Sequence, residues 1–168
     1  MGGTRAAAEG LRELAADYAR LLREALGERL VSVVLFGSVA RGDARASSDI
    51  DLLIVARDLP AGQFARKRLL AAVDHAFEPL LTAAVDEGFE TRLARIVRTP
   101  EEAARRVPLY LDMTEDAVLL HDPDGFFAGV LDGMRRSLAR LGAKRIWRGK
   151  TWYWDLKPDF RPGDAIEI

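Results

Sequence analysis

Residues 33–55 read VVLFGSVARGDARASSDIDLLIV, and this stretch decides the fold that we expect for the chain. An apolar run leads into a glycine-serine turn and a polar loop, and a second apolar run starts with two aspartates. Asp49 and Asp51 are separated by one residue, and alternate side chains of a strand point to the same face of a sheet. The stretch therefore predicts two carboxylates side by side, facing a turn that can hold a phosphate.

The turn supplies the groups that a phosphate needs. Gly37 lets the backbone turn sharply and lets an anion approach the main chain. Ser38 adds a hydroxyl, and a helix starting here would offer its first N–H groups to a phosphate. Arg41 either neutralises a phosphate or anchors the loop through a salt bridge. We therefore predict a nucleotide-binding turn at Gly37, Ser38 and Arg41.

The two aspartates predict a metal site. Magnesium prefers oxygen ligands and usually takes one or two carboxylates, while substrate phosphates and waters complete its shell. Two neighbouring carboxylates without a partner repel each other, so a cation stabilises the pair. Ser47 and Ser48 can orient the two acids through hydrogen bonds. We predict that Asp49 and Asp51 bind Mg²⁺.

The flanking sequence predicts an α/β fold. We expect a small mixed sheet in which the two strands of the opening stretch are antiparallel neighbours, with helices packed on one side and a C-terminal helix plus a short hairpin. Pro79 is expected to interrupt a helix. We divide the chain into a core, residues 1–122, and a C-terminal helix, hairpin and tail, residues 123–168, packed on the same domain. The predicted helices cover 4–30, 61–75 and 126–141, and the predicted strands cover 31–36, 50–55, 90–97, 145–147 and 151–154.

Composition excludes several kinds of site. The 168 residues contain no cysteine, so disulfides, thiolate zinc sites and cysteine nucleophiles are excluded. No apolar run approaches the roughly 20 residues that cross a bilayer, and the N-terminus has no apolar signal core. We expect a cytoplasmic protein that does not bind membranes.

A basic, aromatic segment lies near the C-terminus. Residues 134–161 contain nine basic and two acidic residues, although the whole chain has a net charge of −1. All three tryptophans, Trp147, Trp152 and Trp154, lie within this segment. Such a composition suits nucleic-acid binding through base stacking and phosphate contacts. A small satellite core or a subunit interface also explains the aromatic residues, and we favour that interpretation over base stacking.

The order of these motifs resembles a known family. Gly37-Ser38, ten further residues and then Asp49-Ile50-Asp51 are similar to the signature of the polymerase-β-like nucleotidyltransferase superfamily. Arg41-Gly42 and Ser48 match its small prokaryotic members, the minimal nucleotidyltransferases. The resemblance implies transfer of a nucleoside monophosphate from a nucleoside triphosphate to an acceptor. It also implies that Ser48 belongs to the nucleotide site and that one or two Mg²⁺ ions are bound.

A third carboxylate, on a later strand, usually completes the family pattern. Glu90, at the start of the third predicted strand, is the best candidate for this catalytic residue, and Asp86 is a weaker one. Arginines occupy the middle of that strand, where an acid is expected. Without the third acid, nucleotide binding without transfer is the alternative.

The resemblance also bears on partners. The chain is short for an enzyme that recognises a large acceptor, so a helical partner protein or a homodimer would complete the site. Small family members often occur as the antitoxin of a two-protein module, where they mask or modify a helical toxin. An antitoxin-like or catalytically inactive nucleotide-binding module, acting through such a partner, is therefore the alternative to a transferase.

Overall fold

The computed structural model describes residues 2–149, 151–161 and 166. The opening stretch forms the centre of a sheet, with a short helix between its two strands. The helices are α1 (Gly2–Leu26), α2 (Gly37–Arg41), α3 (Gln63–Asp86), α4 (Pro100–Ala103), α5 (Leu109–Asp116) and α6 (Phe126–Leu141). The strands are β1 (Leu30–Phe36), β2 (Ile50–Ala56), β3 (Leu93–Arg98), β4 (Val118–His121), β5 (Lys144–Arg148) and β6 (Thr151–Asp155).

The main sheet is mixed and has the strand order β3-β2-β1-β4. β1 runs antiparallel to both β2 and β4, whereas β3 runs parallel to β2. Both strands of the opening stretch are almost entirely buried, as their continuous apolar sequence predicts. The predicted α/β class, the mixed sheet and the antiparallel pair are thus confirmed.

Helices cover both faces of the sheet, so the expectation of helices on one side is wrong. Leu52 and Ile54 of β2 pack with α1 and α3 in one apolar cluster. Leu53 and Val55, on the opposite face, pack with residues of α5 and α6 in a second cluster. A strand that carries apolar residues on both of its faces must be buried on both faces, and this requires a layer of helices on each side.

Two further expectations are corrected. α3 continues through Pro79, because Phe77 before it is fully buried and Leu80 after it packs against the same cluster. The third strand starts at Leu93 rather than at Glu90. The Glu90 N–H donates to the carbonyl of Ala46 in the loop instead of joining the ladder with β2.

The C-terminal segment forms the predicted helix and hairpin. α6 places Phe127 and Leu131 in the second cluster, and β5 and β6 form an antiparallel pair. The extended tail predicted from Lys157 onward lies partly outside the described residues, and the division of the chain at residue 122 stays a prediction. In the described ranges, no helix combines the length and the apolar character that are needed to cross a bilayer.

An ion pair joins α3 to α4 beside the sheet. Both terminal nitrogens of Arg66, which is 7% exposed, donate to the Glu102 carboxylate at 2.7 and 2.9 Å. Arg66 also donates to the carbonyls of Pro60 and Val97. Glu102 completes a capping box with Thr99 at the start of α4. Hydrogen bonding to Arg66 lowers the pKa of Glu102 to about 2.

Glu102→Gln should therefore destabilise the fold in a pH-dependent way. At pH 7 we expect a loss of roughly 1–3 kcal/mol, because the nearly buried Arg66 loses its counter-charge. The pKa of Glu102 is lower in the folded state, so its stabilisation is complete above about pH 4.5 and disappears as the pH falls toward 2. Urea unfolding of the parent and the variant at pH 7, 4.5 and 3 measures this difference.

Glu115→Gln, at an exposed position of α5, is the matched control and should leave stability within about 0.5 kcal/mol of the parent. A difference between parent and Glu102→Gln that stays constant down to pH 3 would contradict the assignment.

Candidate active site

The site is built around Gly37, where β1 passes into α2. Gly37 has a φ of +73°, a conformation that glycine adopts without the steric cost of a side chain. The last residue of β1, Phe36, is paired with Asp51 of β2. A Cβ atom on Gly37 would lie 2.3 Å from the Asp51 Oδ2 atom. Only glycine therefore allows the turn and this carboxylate to lie in contact.

Hydrogen bonds from Arg12 and Gly42 hold α2 in place. The residue before the helix, Phe36, makes no side-chain capping bond, and the first N–H groups of a helix have no carbonyl partner within that helix. At its other end, Arg12 of α1 donates to the carbonyls of Val39 and Ala40. Gly42 ends the helix with a φ of +83° and donates its N–H to the Ser38 carbonyl at 3.0 Å. The N–H groups at the start of α2 are thus presented by a well-supported turn.

Asp49 and Asp51 lie together, as the sequence predicts. Burial raises the pKa of Asp51, the negative charge of Asp49 raises it further, and the positive charge of Arg41 lowers it. Leu52 and Leu53 are fully buried directly after Asp51, so the backbone that carries this carboxylate is fixed. The site therefore holds two carboxylates that repel each other, with Arg41 as a cation near Asp51.

A divalent cation fits this donor set. One or two carboxylates, with phosphates and waters as further ligands, suit Mg²⁺. A cation between Asp49 and Asp51 would relieve the repulsion that raises the pKa of Asp51. Arg92 lies against Asp49, with 3.5 Å between Nε and Oδ1, but its side chain is 84% exposed and can move away. The two aspartates are therefore the residues that would hold the ion.

Arg41 joins the turn to the rest of the site. Its Nε donates to Asp43 at 3.3 Å, and its guanidinium lies 4.8 Å from the centre of the Trp152 ring. The Ser48 hydroxyl accepts a hydrogen bond from the Arg45 N–H at 2.9 Å, which closes the loop before β2. Arg41 thus lies beside the turn and near Asp51, while Ser48 shapes the loop. The nucleotide-binding roles of both residues stay predictions.

Glu90 lies apart from the two aspartates. It is exposed, it precedes β3, and Leu93 is the first residue paired with β2, opposite Ile50. Asp86 is exposed at the end of α3. Within the described part of the chain, no three acidic or histidine side chains are grouped so that they could hold a metal ion. The catalytic role of Glu90 stays a prediction.

The residues that lie opposite the aspartates, in β3 and directly before it, are not acidic. Asp51 is paired with Ala94, and the residue that lies against Asp49 is Arg92. The sequence shows the arginines of this strand but does not predict this ion pair. Knowledge of the parallel register between β2 and β3 would have revealed it.

The carboxylate of Asp112 on α5 holds the C-terminal hairpin beside the turn. The indole N–H groups of Trp152 and Trp154 both donate to Asp112 Oδ1 on α5, at 2.7 and 2.8 Å. Arg145 of β5 donates to Asp116, one helical turn further along α5, at 2.8 Å. Trp154 packs against the second apolar cluster, which supports the satellite-core interpretation for that tryptophan.

Sequence reasoning missed Asp112 and Asp116. The available signal was their spacing of four residues, which places both carboxylates on one face of a helix. The two acids and Arg41 line one cavity together with Gly37, so the hairpin, α5 and the turn form one continuous site.

Asp112→Ala should release the hairpin while the helices remain folded. We expect a loss of about 1.5–3 kcal/mol, because two indole donors lose a charged acceptor. All three tryptophans lie in the hairpin, so their fluorescence reports on this element alone. The emission maximum should shift to longer wavelength while the circular dichroism of the helices is retained.

Asp132→Ala serves as the control, since Asp132 is an exposed residue that pairs with Arg135 of its own helix. It should leave the emission unchanged. An unshifted emission maximum in Asp112→Ala, together with parental stability, would show that Asp112 does not hold the hairpin.

Comparison with known proteins identifies the family. The sequence profile of the nucleotidyltransferase domain family matches residues 19–108. This range includes the turn and both aspartates. The putative protein adenylyltransferase MJ1305 of Methanocaldococcus jannaschii is 25% identical over 138 residues, which cover 81% of this chain and 88% of that protein.

Solved structures give weaker likenesses. A toxin-antitoxin crystallised with AMP-PNP has a TM-score of 0.44 at 20% identity, over 76% of this chain and 92% of that one. The toxin-antitoxin MntA-HepT has a TM-score of 0.43 at 16% identity, over 78% and 92%.

The profile covers more than half of the chain, and its range holds the Gly-Ser turn, the two aspartates and the strands that carry them. The resemblance predicted from residues 33–55 is therefore confirmed: the chain belongs to the nucleotidyltransferase domain family, and it is a transferase enzyme of that class.

Proposed function

We propose that the enzyme moves a nucleoside monophosphate from a nucleoside triphosphate to a protein side chain and releases pyrophosphate, in a Mg²⁺-dependent reaction. The observation that carries this proposal is the close approach of the Gly37 turn to the Asp51 carboxylate. Gly37 and Asp51 lie so close that a methyl group does not fit between them. Phosphates on the turn would therefore lie beside the carboxylates that hold the ion.

The chain's own groups would orient the triphosphate. The unpaired N–H groups at the start of α2 and the Ser38 hydroxyl would bind phosphate oxygens. The positive charge of Arg41 would offset part of the phosphate charge and keep the triphosphate against the turn. When bound, Mg²⁺ would neutralise phosphate charge and acidify the attacking hydroxyl. Asp49 and Asp51 would hold that ion.

Glu90 is our candidate for proton removal from the acceptor. It is exposed and lies two residues before Arg92, which contacts Asp49. Glu90→Gln tests this role separately from the metal site.

A protein acceptor agrees with the name of the relative MJ1305, which is a putative protein adenylyltransferase. The surface of this chain also suits a partner. β4 is an edge strand, and Val118 and Leu119 on it are 36% and 39% exposed. Exposed apolar groups on a strand edge favour contact with another chain. A helical partner protein or a second copy of the chain would complete the acceptor site there.

A second candidate function is that of an antitoxin-like or inactive nucleotide-binding module. The lack of an acid at Ala94, opposite Asp51, favours it, because no side chain of β3 is then placed to take a proton. Such a protein would bind nucleoside triphosphates through the same turn but would act by covering a helical partner.

Transfer from labelled nucleoside triphosphates separates the two functions. The chain would be incubated with labelled ATP, GTP, CTP or UTP, Mg²⁺ and cell extract. We expect label to appear on protein and to fall by at least about a hundredfold in Asp49→Asn and Asp51→Asn, because each loses a carboxylate ligand. Removal of Mg²⁺ with a chelator should have the same effect.

Asp132→Asn, which changes an exposed acid on α6, should transfer label at the parental rate. Persistent transfer in both site variants would contradict the assignment of Asp49 and Asp51 as ligands of the metal ion. Tight nucleotide binding without any transfer by the parent would instead support the second candidate.

Gly37→Ala should abolish triphosphate binding in a protein that still folds. The new methyl group would meet Asp51 Oδ2 at 2.3 Å, so either the turn or the carboxylate must move. Gly27→Ala is the matched control, since Gly27 also has a positive φ, of +54°, but a methyl group added there would meet nothing within 4 Å. Calorimetric titration with ATP and Mg²⁺ measures the affinity of both variants.

Both substitutions should lower stability by about 1 kcal/mol through backbone strain, but only Gly37→Ala should lose ATP binding. Equal ATP affinities for the two variants would show that the triphosphate does not bind at this turn.

A further inference from the structure

A cavity of about 230 Å³ lies between α2 and α5, next to the proposed phosphate site. Gly37 and Arg41, two residues of the proposed triphosphate site, form one side of it. A nucleotide whose phosphates lie on the turn would have its nucleoside within reach of this cavity. The residues that line it are Phe36, Gly37, Arg41, Leu109, Asp112, Met113, Asp116 and Ala117.

The size of the cavity suits one flat ring system. A cavity of roughly 150 Å³ holds a benzene ring, whereas pockets for whole drug-sized ligands start at about 300 Å³. The volume here lies between these two values, so a nucleobase would fit while the triphosphate stays outside. Phe36, Leu109, Met113 and Ala117 give the cavity the apolar surface against which a base packs.

Charged residues line the cavity from both α2 and α5. Arg41 lies near Asp51 and the turn, where the phosphates are expected. Asp112 and Asp116 line the cavity from α5. Phosphates would be attracted by Arg41 and repelled by Asp112, whose hydrogen bonds come from neutral indoles, whereas Asp116 is paired with Arg145. These charges favour a nucleotide that places its phosphates toward the turn and its base toward α5.

The carboxylates of α5 are held in fixed positions and keep capacity for further hydrogen bonds. A carboxylate offers about four acceptor positions. The two indole N–H groups of the hairpin both donate to Oδ1 of Asp112, and Arg145 donates to Oδ2 of Asp116. Each acid can therefore accept a hydrogen bond from a ligand without losing the hairpin.

We propose that this cavity binds the nucleobase and that Asp112 and Asp116 select bases carrying an exocyclic amino group. An ionised carboxylate only accepts hydrogen bonds, so it attracts an N–H donor and repels a carbonyl oxygen. Adenine, guanine and cytosine carry an amino group, whereas uracil and hypoxanthine carry carbonyl oxygens instead. The inference rests on the proposed function, because it needs a triphosphate at Gly37 to place the base.

The hairpin has a definite role in this selection. Trp152 and Trp154 fix the rotamer of Asp112, and Arg145 fixes that of Asp116. Trp152 also lies against Arg41, the cation expected to face the phosphates. The hairpin thus contacts charged residues of both α2 and α5 at the proposed base site.

Affinity measurements with ATP and inosine triphosphate test the proposal directly. The two nucleotides differ where the 6-amino group of adenine is replaced by an oxo group. In the presence of Mg²⁺, the full chain should bind ATP at least about tenfold more tightly than inosine triphosphate, since a hydrogen bond to a charged group is gained in one case and lost in the other. UTP should bind as weakly as inosine triphosphate.

Asp112→Asn changes the selectivity without removing the acceptor of the hairpin. The Asn carbonyl oxygen can still accept from both indoles, while the other atom becomes an N–H₂ donor. We expect the preference for ATP over inosine triphosphate to disappear in this variant. An unchanged tryptophan emission maximum would show that the hairpin is still in place, and Asp132→Asn should keep the parental preference.

The outcomes separate this inference from the proposed function. Equal affinities for ATP, inosine triphosphate and UTP, all lost in Gly37→Ala, would overturn base selection and leave the triphosphate site intact. A preference for ATP that Asp112→Asn retains with its hairpin in place would also overturn the inference. Failure of every nucleotide to bind the parent would overturn the proposed function and the inference together.

Discussion

The close contact between Gly37 and Asp51 sets the geometry of the whole site. The register of β1 and β2 places Phe36 opposite Asp51, so the first residue after β1 must pass directly over that carboxylate. A positive φ of +73° and the lack of a side chain are both required there. The proposed anion-binding turn and the proposed cation-binding pair thereby lie next to each other.

The surrounding structure serves to keep this contact. Buried apolar residues on both faces of β2 hold the strand in register, so that Asp51 cannot withdraw from the turn. Arg12 fixes the far end of α2. The negative charges of Asp49 and Asp51 are balanced only in part. Burial and the charge of Asp49 raise the pKa of Asp51, whereas the charge of Arg41 lowers it. A site that is electrostatically unsatisfied in the protein alone is one that a cation and a phosphate can complete.

Arg41 connects this centre to the C-terminal hairpin. It contacts Trp152, which in turn donates to Asp112 on α5. The family profile ends at residue 108, so α5 and the hairpin lie beyond it. We propose that these elements recognise the base or the acceptor, whereas the turn and the two aspartates would carry out the transfer chemistry.

The sequence allowed the central strands, the turn and the two aspartates to be predicted, because each depends on local signals. Apolar runs, the glycine and the spacing of Asp49 and Asp51 lie within one stretch of 23 residues. Contacts that depend on packing could not be predicted in this way. Asp112 and Trp152 are 40 residues apart and meet only because α5 and the hairpin pack together.

Strand register and tertiary burial also produced features that local sequence patterns do not predict. The ion pair between Arg92 and Asp49 follows from the parallel register of β3, which no local pattern encodes. Pro79 is tolerated inside α3 because the fully buried Phe77 and its neighbours fix the helix against the sheet. The start of β3 was placed too early because Glu90 bonds to the loop before β2 instead.

A crystal structure of the chain with Mg²⁺ and a non-hydrolysable nucleoside triphosphate analogue tests the central claim most directly. Our account predicts an ion bound by the carboxylates of Asp49 and Asp51, with the phosphate chain against Gly37 and Ser38. It would be contradicted by an analogue whose phosphates lie elsewhere, for example on the basic residues Arg140 and Lys144, while the two aspartates bind no ion.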